Sequence, residues 1–116
     1  LKRDLEKAAE EERLRALDGR WIPIGSAHTA IAMLLQSFEA VVMKTVMVII
    51  APQLAQYDAE FALWVHDEFQ VECPPEHAET VGRLMVEAIR EAGVRLGLRV
   101  KLDGAFKVGR TWAETH

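Results

Sequence analysis

Cysteine is nearly absent from this chain: Cys73 is the single thiol in 116 residues. One thiol closes no internal disulfide, so a reducing compartment is expected rather than a secreted protein. A large excess of either charge is also missing. Fourteen basic against eighteen acidic residues leave a net charge of −4, which gives no global pull toward nucleic acid and leaves room for a local basic strip or an acidic metal centre. A long uninterrupted apolar run is missing too. The nearest candidate, residues 38–55, is broken by Glu39, Lys44 and Gln53. A bilayer span takes ~20 predominantly apolar residues, so no membrane helix is expected. No signal or transit peptide is recognisable at the start, and Leu1 is not a methionine. A piece of a longer polypeptide is expected on that ground. There is no low-complexity tract and no repeat.

What is present reads as a soluble globular chain, half hydrophobic and 28% charged. A chain of this length buries roughly two-thirds of the surface its unfolded form exposes, enough for a real core in one compact domain. Residues 2–12 (KRDLEKAAEEE) predict a mostly solvated helix whose narrow apolar stripe is Leu5, Ala8 and Ala9. Asp18-Gly19 between alternating segments predicts a hairpin with a type I′ turn, and Pro23 places the second strand at an edge. Ser26 is a helix cap. The helix it opens is expected over 27–51, a central buried strut of ~35 Å, ended or kinked by Pro52. Beyond Pro74-Pro75, an amphipathic helix presents Val81, Leu84, Met85, Ala88, Ile89 and Ala92, with Gly93 and Gly97 as places to stop. Leu98, Val100 and Leu102 alternate as a strand, and a loop-like tail follows. The expected fold class is α+β. An antiparallel sheet of two hairpins plus a C-terminal strand carries the long helix and the amphipathic helix on one face.

The stretch that asks for an explanation is WVHDEFQVEC, residues 64–73. As one continuous strand it would set Asp67 in a row with Leu63, Val65, Phe69 and Val71. An unpaired carboxylate buried there costs several kcal/mol. A hairpin with His66-Asp67 as its two-residue turn avoids that cost. It pairs Val65 with Glu68 and Trp64 with Phe69, and it lifts a histidine and two acids to the tip of a ribbon. Such acids can hold a hard divalent cation, because Mg²⁺ takes one or two carboxylates plus waters and phosphates. The alternative is a polar turn with solvated charges.

VHDE flanked by hydrophobic strands resembles the last catalytic motif of the family A DNA polymerases. LDGRWIPIGSAHTAIAMLLQS (residues 17–37) is similar to the hairpin and long palm helix of the short-tailed-phage branch. The ending GRTWAETH resembles that family's tryptophan-containing tail with its final histidine. The resemblance runs over residues 17–116, the C-terminal palm subdomain, with 1–16 as a charged helix leading into the first strand. It implies that Asp67 coordinates catalytic Mg²⁺, with Mn²⁺ as a substitute. It implies that Glu68 is the neighbouring acid of that metal site and that His66 lies near the primer terminus. On the long helix the family's basic or histidine residue, Asn and Gln fall on His28, Ala32 and Gln36. In the family that stripe reads minor-groove acceptors, which check shape rather than sequence. Ala32 departs from the pattern and makes no amide hydrogen bond. His116 is implied to lie near the metal centre.

Each of these residues also has a structural explanation. Gln36 and His28 suit a solvated helix surface, and Lys44 can snorkel from an apolar helix. Met33, Met43, Met47 and Met85 read as core, and Cys73 as a small buried residue with no activating base. Arg83, Arg90, Arg95 and Arg99 read as solvated faces.

Family A chemistry also needs a second aspartate from an earlier palm strand and a fingers helix that holds the triphosphate. Neither is found in these residues. The expected partners are therefore primer-template DNA, deoxynucleoside triphosphates and the remaining polymerase segments, in the cytoplasm of a bacterium or phage-infected host. No membrane is involved, and self-association through apolar surface on the long helix is plausible. Two alternatives are a non-catalytic remnant that binds DNA or a polymerase subunit, and a metal-dependent phosphohydrolase using His66, Asp67 and His77.

Overall fold

A computed structural model describes residues 2–116. The chain divides into two compact units, residues 1–41 and 42–116.

The first unit opens with α1 (Lys2–Glu10), followed by the antiparallel strands β1 (Arg13–Arg15) and β2 (Trp21–Pro23). Alternation sorts the two sides of this ribbon. Leu14 and Ile22 are partly buried, and Leu14 packs with Leu5 against the small core of Ala8, Ile24 and Ala30. Arg13, Arg15 and Trp21 are therefore left on the solvent side.

The turn differs from the type I′ expectation. Gly19 donates its N–H to the Ala16 carbonyl at 2.9 Å, and Ala16 donates to Arg20 at 2.8 Å. Of the turn residues, Gly19 alone has positive φ, at +86°. This is the three-residue loop in which a type I turn ends on a left-handed glycine. The carboxylate of Asp18 accepts from the Arg20 backbone and guanidinium. That local bond suits Asp18 to the right-handed part of the turn.

Helix α2 (Ala27–Ala55) begins where Ser26 caps it: the Ser26 hydroxyl accepts from the Thr29 N–H at 3.4 Å. The helix runs on through Pro52 to Ala55 and does not stop at 51. Pro52 removes one donor from the ladder, while the next side chain, Gln53, donates to the Ile49 carbonyl at 3.5 Å. The large buried side chains are in the second half, where Val42, Val46, Ile49, Ile50 and Leu54 are core, and Val46 and Ile50 are fully enclosed; near the start Ala30 is buried in the first unit's small core. In the first half Ile31 and Leu35 are exposed, so the strut is not buried along its length. By length and composition α2 is apolar enough to cross a bilayer. Glu39, Lys44 and Gln53 are therefore too few to exclude a span by themselves, whereas the buried second half is accounted for by packing within the chain.

The second unit continues with β3 (Glu60–Val65) and β4 (Glu68–Glu72), a separate two-stranded antiparallel sheet. Phe61 pairs with Val71 and Leu63 with Gln70, so Ala62 is an extra, bulged residue. A single 3₁₀ turn, Pro75–His77, then feeds α3 (Ala78–Arg95). Gly97, at φ +67°, ends α3. Leu98 donates to Gly93 and Gly97 donates to Val94, both at 3.0 Å, the two bonds that close a helix on a left-handed glycine.

The expected strand at 98–102 does not form, and the two hairpins make two sheets rather than one. Residues 98–109 instead lie along α3 on glycine notches. Phe106 sits over Gly82, Leu102 over Gly93, and Ile89 against Gly104. Of the alternating residues, Leu102 packs on the helix while Val100 is exposed. The tail is not all loop either, since α4 (Trp112–Thr115) adds one helical turn. The α+β class stands, with its sheets smaller than expected.

Candidate active site on the second hairpin

The pairing of β3 with β4 is the one expected from the cost of burying Asp67. Val65 faces Glu68, Trp64 faces Phe69, and His66-Asp67 is the turn. His66 takes φ +54°, while Asp67 keeps a negative φ. Positive φ at the first turn residue alone differs from a type I′ turn, which needs it at both. The strain falls on a histidine, a residue type enriched in that region. Trp64 holds the conformation by donating its indole N–H to the His66 carbonyl at 2.8 Å. Below the turn, Phe69 packs at a tilt against Trp64 and Phe61, with centroids 6.0 and 5.3 Å away. This aromatic ladder stiffens the ribbon that presents the tip.

Asp67 is exposed, and among the described residues its carboxylate has no hydrogen bond or ion pair. Glu68 is held quite differently. Its Oε2 lies 2.8 Å from Nδ1 of His116, and its Oε1 accepts from the Gln70 amide. Gln70 in turn accepts from the Thr115 hydroxyl at 3.0 Å. Partial desolvation pushes the Glu68 pKa upward. The hydrogen bonds from His116, Gln70 and Trp112 and the charge attraction of His116 outweigh it, and Glu68 sits below its ordinary value. The two neighbouring acids thus differ in kind: Asp67 has both oxygens free, and Glu68 has both engaged. Asp67 suits a direct cation ligand, whereas Glu68 in this arrangement suits a fixed negative charge beside one.

The sequence reading placed His116 close to this centre, and the structure brings it to Glu68. Gln70 and Thr115 were missed. Gln70 was legible in principle, because positions 68 and 70 share one face of a strand. Thr115 was not, since only the fold brings α4 against β4. Asp67, Glu68, Gln70, Trp112 and Thr115 all line one groove, together with Arg110.

The long-helix residues His28, Ala32 and Gln36 are all exposed, as a surface-reading stripe must be. They belong to the first unit and the hairpin tip to the second. His77 does not join His66 and Asp67. Its ring packs edge-on against Tyr57 at 5.3 Å, and among the described residues no three His, Cys, Asp or Glu side chains converge as a metal cage. The phosphohydrolase triad is therefore not assembled. Cys73 is half-buried, and desolvation, then the Glu76 carboxylate, pushes its thiol pKa up, which suits a packing residue. Arg90 is paired with Asp103 and Glu87, and Arg95 with Glu91, as solvated faces.

The hairpin tip carries Asp67 and Glu68, the long helix carries exposed His28 and Gln36 with Ala32 between them, and His116 reaches Glu68. The profile of DNA polymerase family A matches residues 6–114. The chain belongs to DNA polymerase family A.

Similar proteins include the DNA-directed DNA polymerases of Enterobacteria phage T3 and Escherichia phage T7. Each is 36% identical over 112 residues, covering 89% of this chain and 16% of the phage enzyme. The thermostable DNA polymerase I of Thermus aquaticus is 39% identical over 83 residues, covering 72% of this chain and 10% of that protein. The chain thus spans about a sixth of the length of the phage polymerases it matches.

Proposed function

We propose that this chain supplies the C-terminal palm segment of a template-directed DNA polymerase and works only with the remaining segments of such an enzyme. The observation that carries this reading is the free Asp67 carboxylate on a stiffened hairpin tip, beside an acid already held in place.

In this reading Asp67 binds Mg²⁺ (or Mn²⁺) through its unengaged oxygens. The ion, when bound, supplies Lewis-acid stabilisation of the phosphoryl oxygens in nucleotidyl transfer. Glu68 keeps its charge because His116 and Gln70 hold it, and it adds negative potential next to the cation without needing to contact it. His66 faces the primer terminus from the turn. His28 and Gln36 meet the minor groove of primer-template DNA, where Ala32 makes no polar contact. Self-association is a lesser expectation, supported by exposed Leu35 and Val48 on α2. The expected setting is the cytoplasm of a bacterium or phage-infected cell.

One carboxylate cluster is half of a two-ion site, so the chain alone is expected to be inactive. The test is complementation. A phage-type polymerase truncated before the matching segment is mixed with this chain, and template-dependent incorporation is measured. Incorporation by the mixture, its loss with Asp67→Asn, and none by either part alone are the expected results. Incorporation by the chain alone, or full activity of the Asp67→Asn mixture, overturns the proposal. DNA binding with no complementation would favour the non-catalytic remnant, a reading that the substitution of Ala32 for the family's Asn also favours.

A further inference from the structure

The hairpin of the first unit carries a feature that the polymerase reading leaves unused. The guanidinium carbon of Arg13 lies 4.1 Å from the ring centroid of Trp21, and that of Arg15 lies 5.3 Å from it. Strand alternation puts all three on the side away from Leu14 and Ile22. The side chains stay open to solvent: Trp21 is 50% exposed and the Arg13 side chain 53%. Carboxylates hardly compensate them. Glu11 approaches Arg13 only to 3.8 Å, and among the described residues Arg15 has no ion pair. By contrast, the next arginine, Arg20, is bound by Asp18 within the turn.

We propose that this Arg13–Trp21–Arg15 face is a binding surface for single-stranded nucleic acid. Stacking on an indole fixes the plane of a guanidinium while leaving its N–H edge free, which is the geometry for a phosphate. Two such groups one strand-alternation apart can each hold one phosphate of a flexible backbone. The outer faces of the two guanidinium planes and the exposed edge of the indole form a flat platform on which only an unstacked base can lie, so a single strand fits better than a duplex. A patch this small acts through local charge and stacking, which the overall charge of −4 does not preclude.

The test measures binding of fluorescently labelled oligothymidylate, and of a blunt duplex, to the whole chain by anisotropy over a range of salt. Arg13→Gln/Arg15→Gln and Trp21→Ala are compared with Arg99→Gln. The expected result is preference for the single strand, weakened at least about fivefold by Trp21→Ala. The double arginine variant should lower the salt slope by about 1.4, the value for two phosphate contacts on a single strand. Arg99→Gln, which removes an exposed positive charge outside this face, should leave this binding unchanged. Chemical-shift mapping on the wild-type chain needs no variant and should find the largest changes at the Trp21 indole.

No single-strand binding, shifts that avoid Trp21, or an equal response to duplex overturn the proposal. So do variants that keep nucleic-acid affinity and instead weaken association with the complementary polymerase segment, which would make the face a protein interface. None of these outcomes touches Asp67, so the complementation result stands or falls separately.

Discussion

The imidazole Nδ1 of His116 and the carboxylate Oε2 of Glu68 meet at 2.8 Å across 48 residues of sequence. Thr115 reinforces the contact through Gln70, and the Trp112 ring packs 5.1 Å from that of His116. Three of the last five residues thus fasten α4 to β4, and the fastening point is the acid next to Asp67. The same contact decides what Glu68 can do: with both oxygens engaged, it lends its charge without being free to move toward a cation.

That fastening is pH-dependent in a defined direction. The folded-state pKa of Glu68 lies below its ordinary 4.5, so the folded chain binds this proton less readily than the unfolded one. Its contribution to stability is complete above pH 4.5 and is lost as the pH falls through the lower folded value. His116→Ala should move the Glu68 pKa back up toward its ordinary value. Carboxyl NMR titration of Glu68 in the two chains checks this, and an unchanged pKa in the variant would count against the contact.

Asp67 and Glu68 should separate by experiment. Asp67→Asn removes an exposed, unpartnered charge, and stability should stay within about 0.5 kcal/mol of wild type. The same change should abolish Mn²⁺-induced broadening of the resonances at the hairpin tip. Glu68→Gln should leave a Mn²⁺ effect, though a weaker one, and should release Thr115 and Trp112 from β4. Thermal melts and paramagnetic broadening on the same samples give both readouts. Equal loss of Mn²⁺ broadening in the two variants would make Glu68 a direct ligand.

The turn itself offers a cleaner backbone test. His66 holds φ +54°, where a β-branched residue is a genuine outlier. His66→Val should destabilise by about 1–2 kcal/mol, the cost of left-handed backbone for an L-residue. His66→Gly should be close to neutral, because relief of strain offsets the entropy that glycine loses on folding. Urea denaturation distinguishes the pair. Equal stabilities would mean the turn has another conformation.

The second hairpin was legible because one residue made every other register expensive. Asp67 could not sit in an apolar row, and that cost alone selected Val65 against Glu68 and Trp64 against Phe69. The first hairpin was legible in position and not in turn type, because Asp18-Gly19 fits both a two-residue and a three-residue loop. Ala16 pairing with Arg20 decides between them. Leu98, Val100 and Leu102 misled for a different reason. Alternation alone does not specify a strand: Leu102 rests over the Gly93 notch of α3, while Val100, on the same face of an imagined strand, is exposed. Pro52 misled because a proline removes one helical bond but does not forbid the turn beyond it when Ile50 before it and Leu54 after it are both packed in the core. The free state of Asp67 and the engaged state of Glu68 could not be read from adjacent letters, because Gln70 is two residues away and His116 lies at the far end of the chain.

The glycine notches carry the last prediction. A Cβ built at Gly82 would collide with the ring of Phe106, and Gly82 is buried on α3. Gly82→Ala should therefore lift residues 98–109 off α3, although alanine is the better helix former. Overpacking of this kind costs typically 1–3 kcal/mol, more than the roughly 1 kcal/mol gained in helix propensity. Adding Phe106→Ala to Gly82→Ala removes the clash, so the double variant should lose less than the sum of the two single losses. A urea double-mutant cycle measures the coupling. Strict additivity would show that Phe106 does not rest on Gly82 in solution.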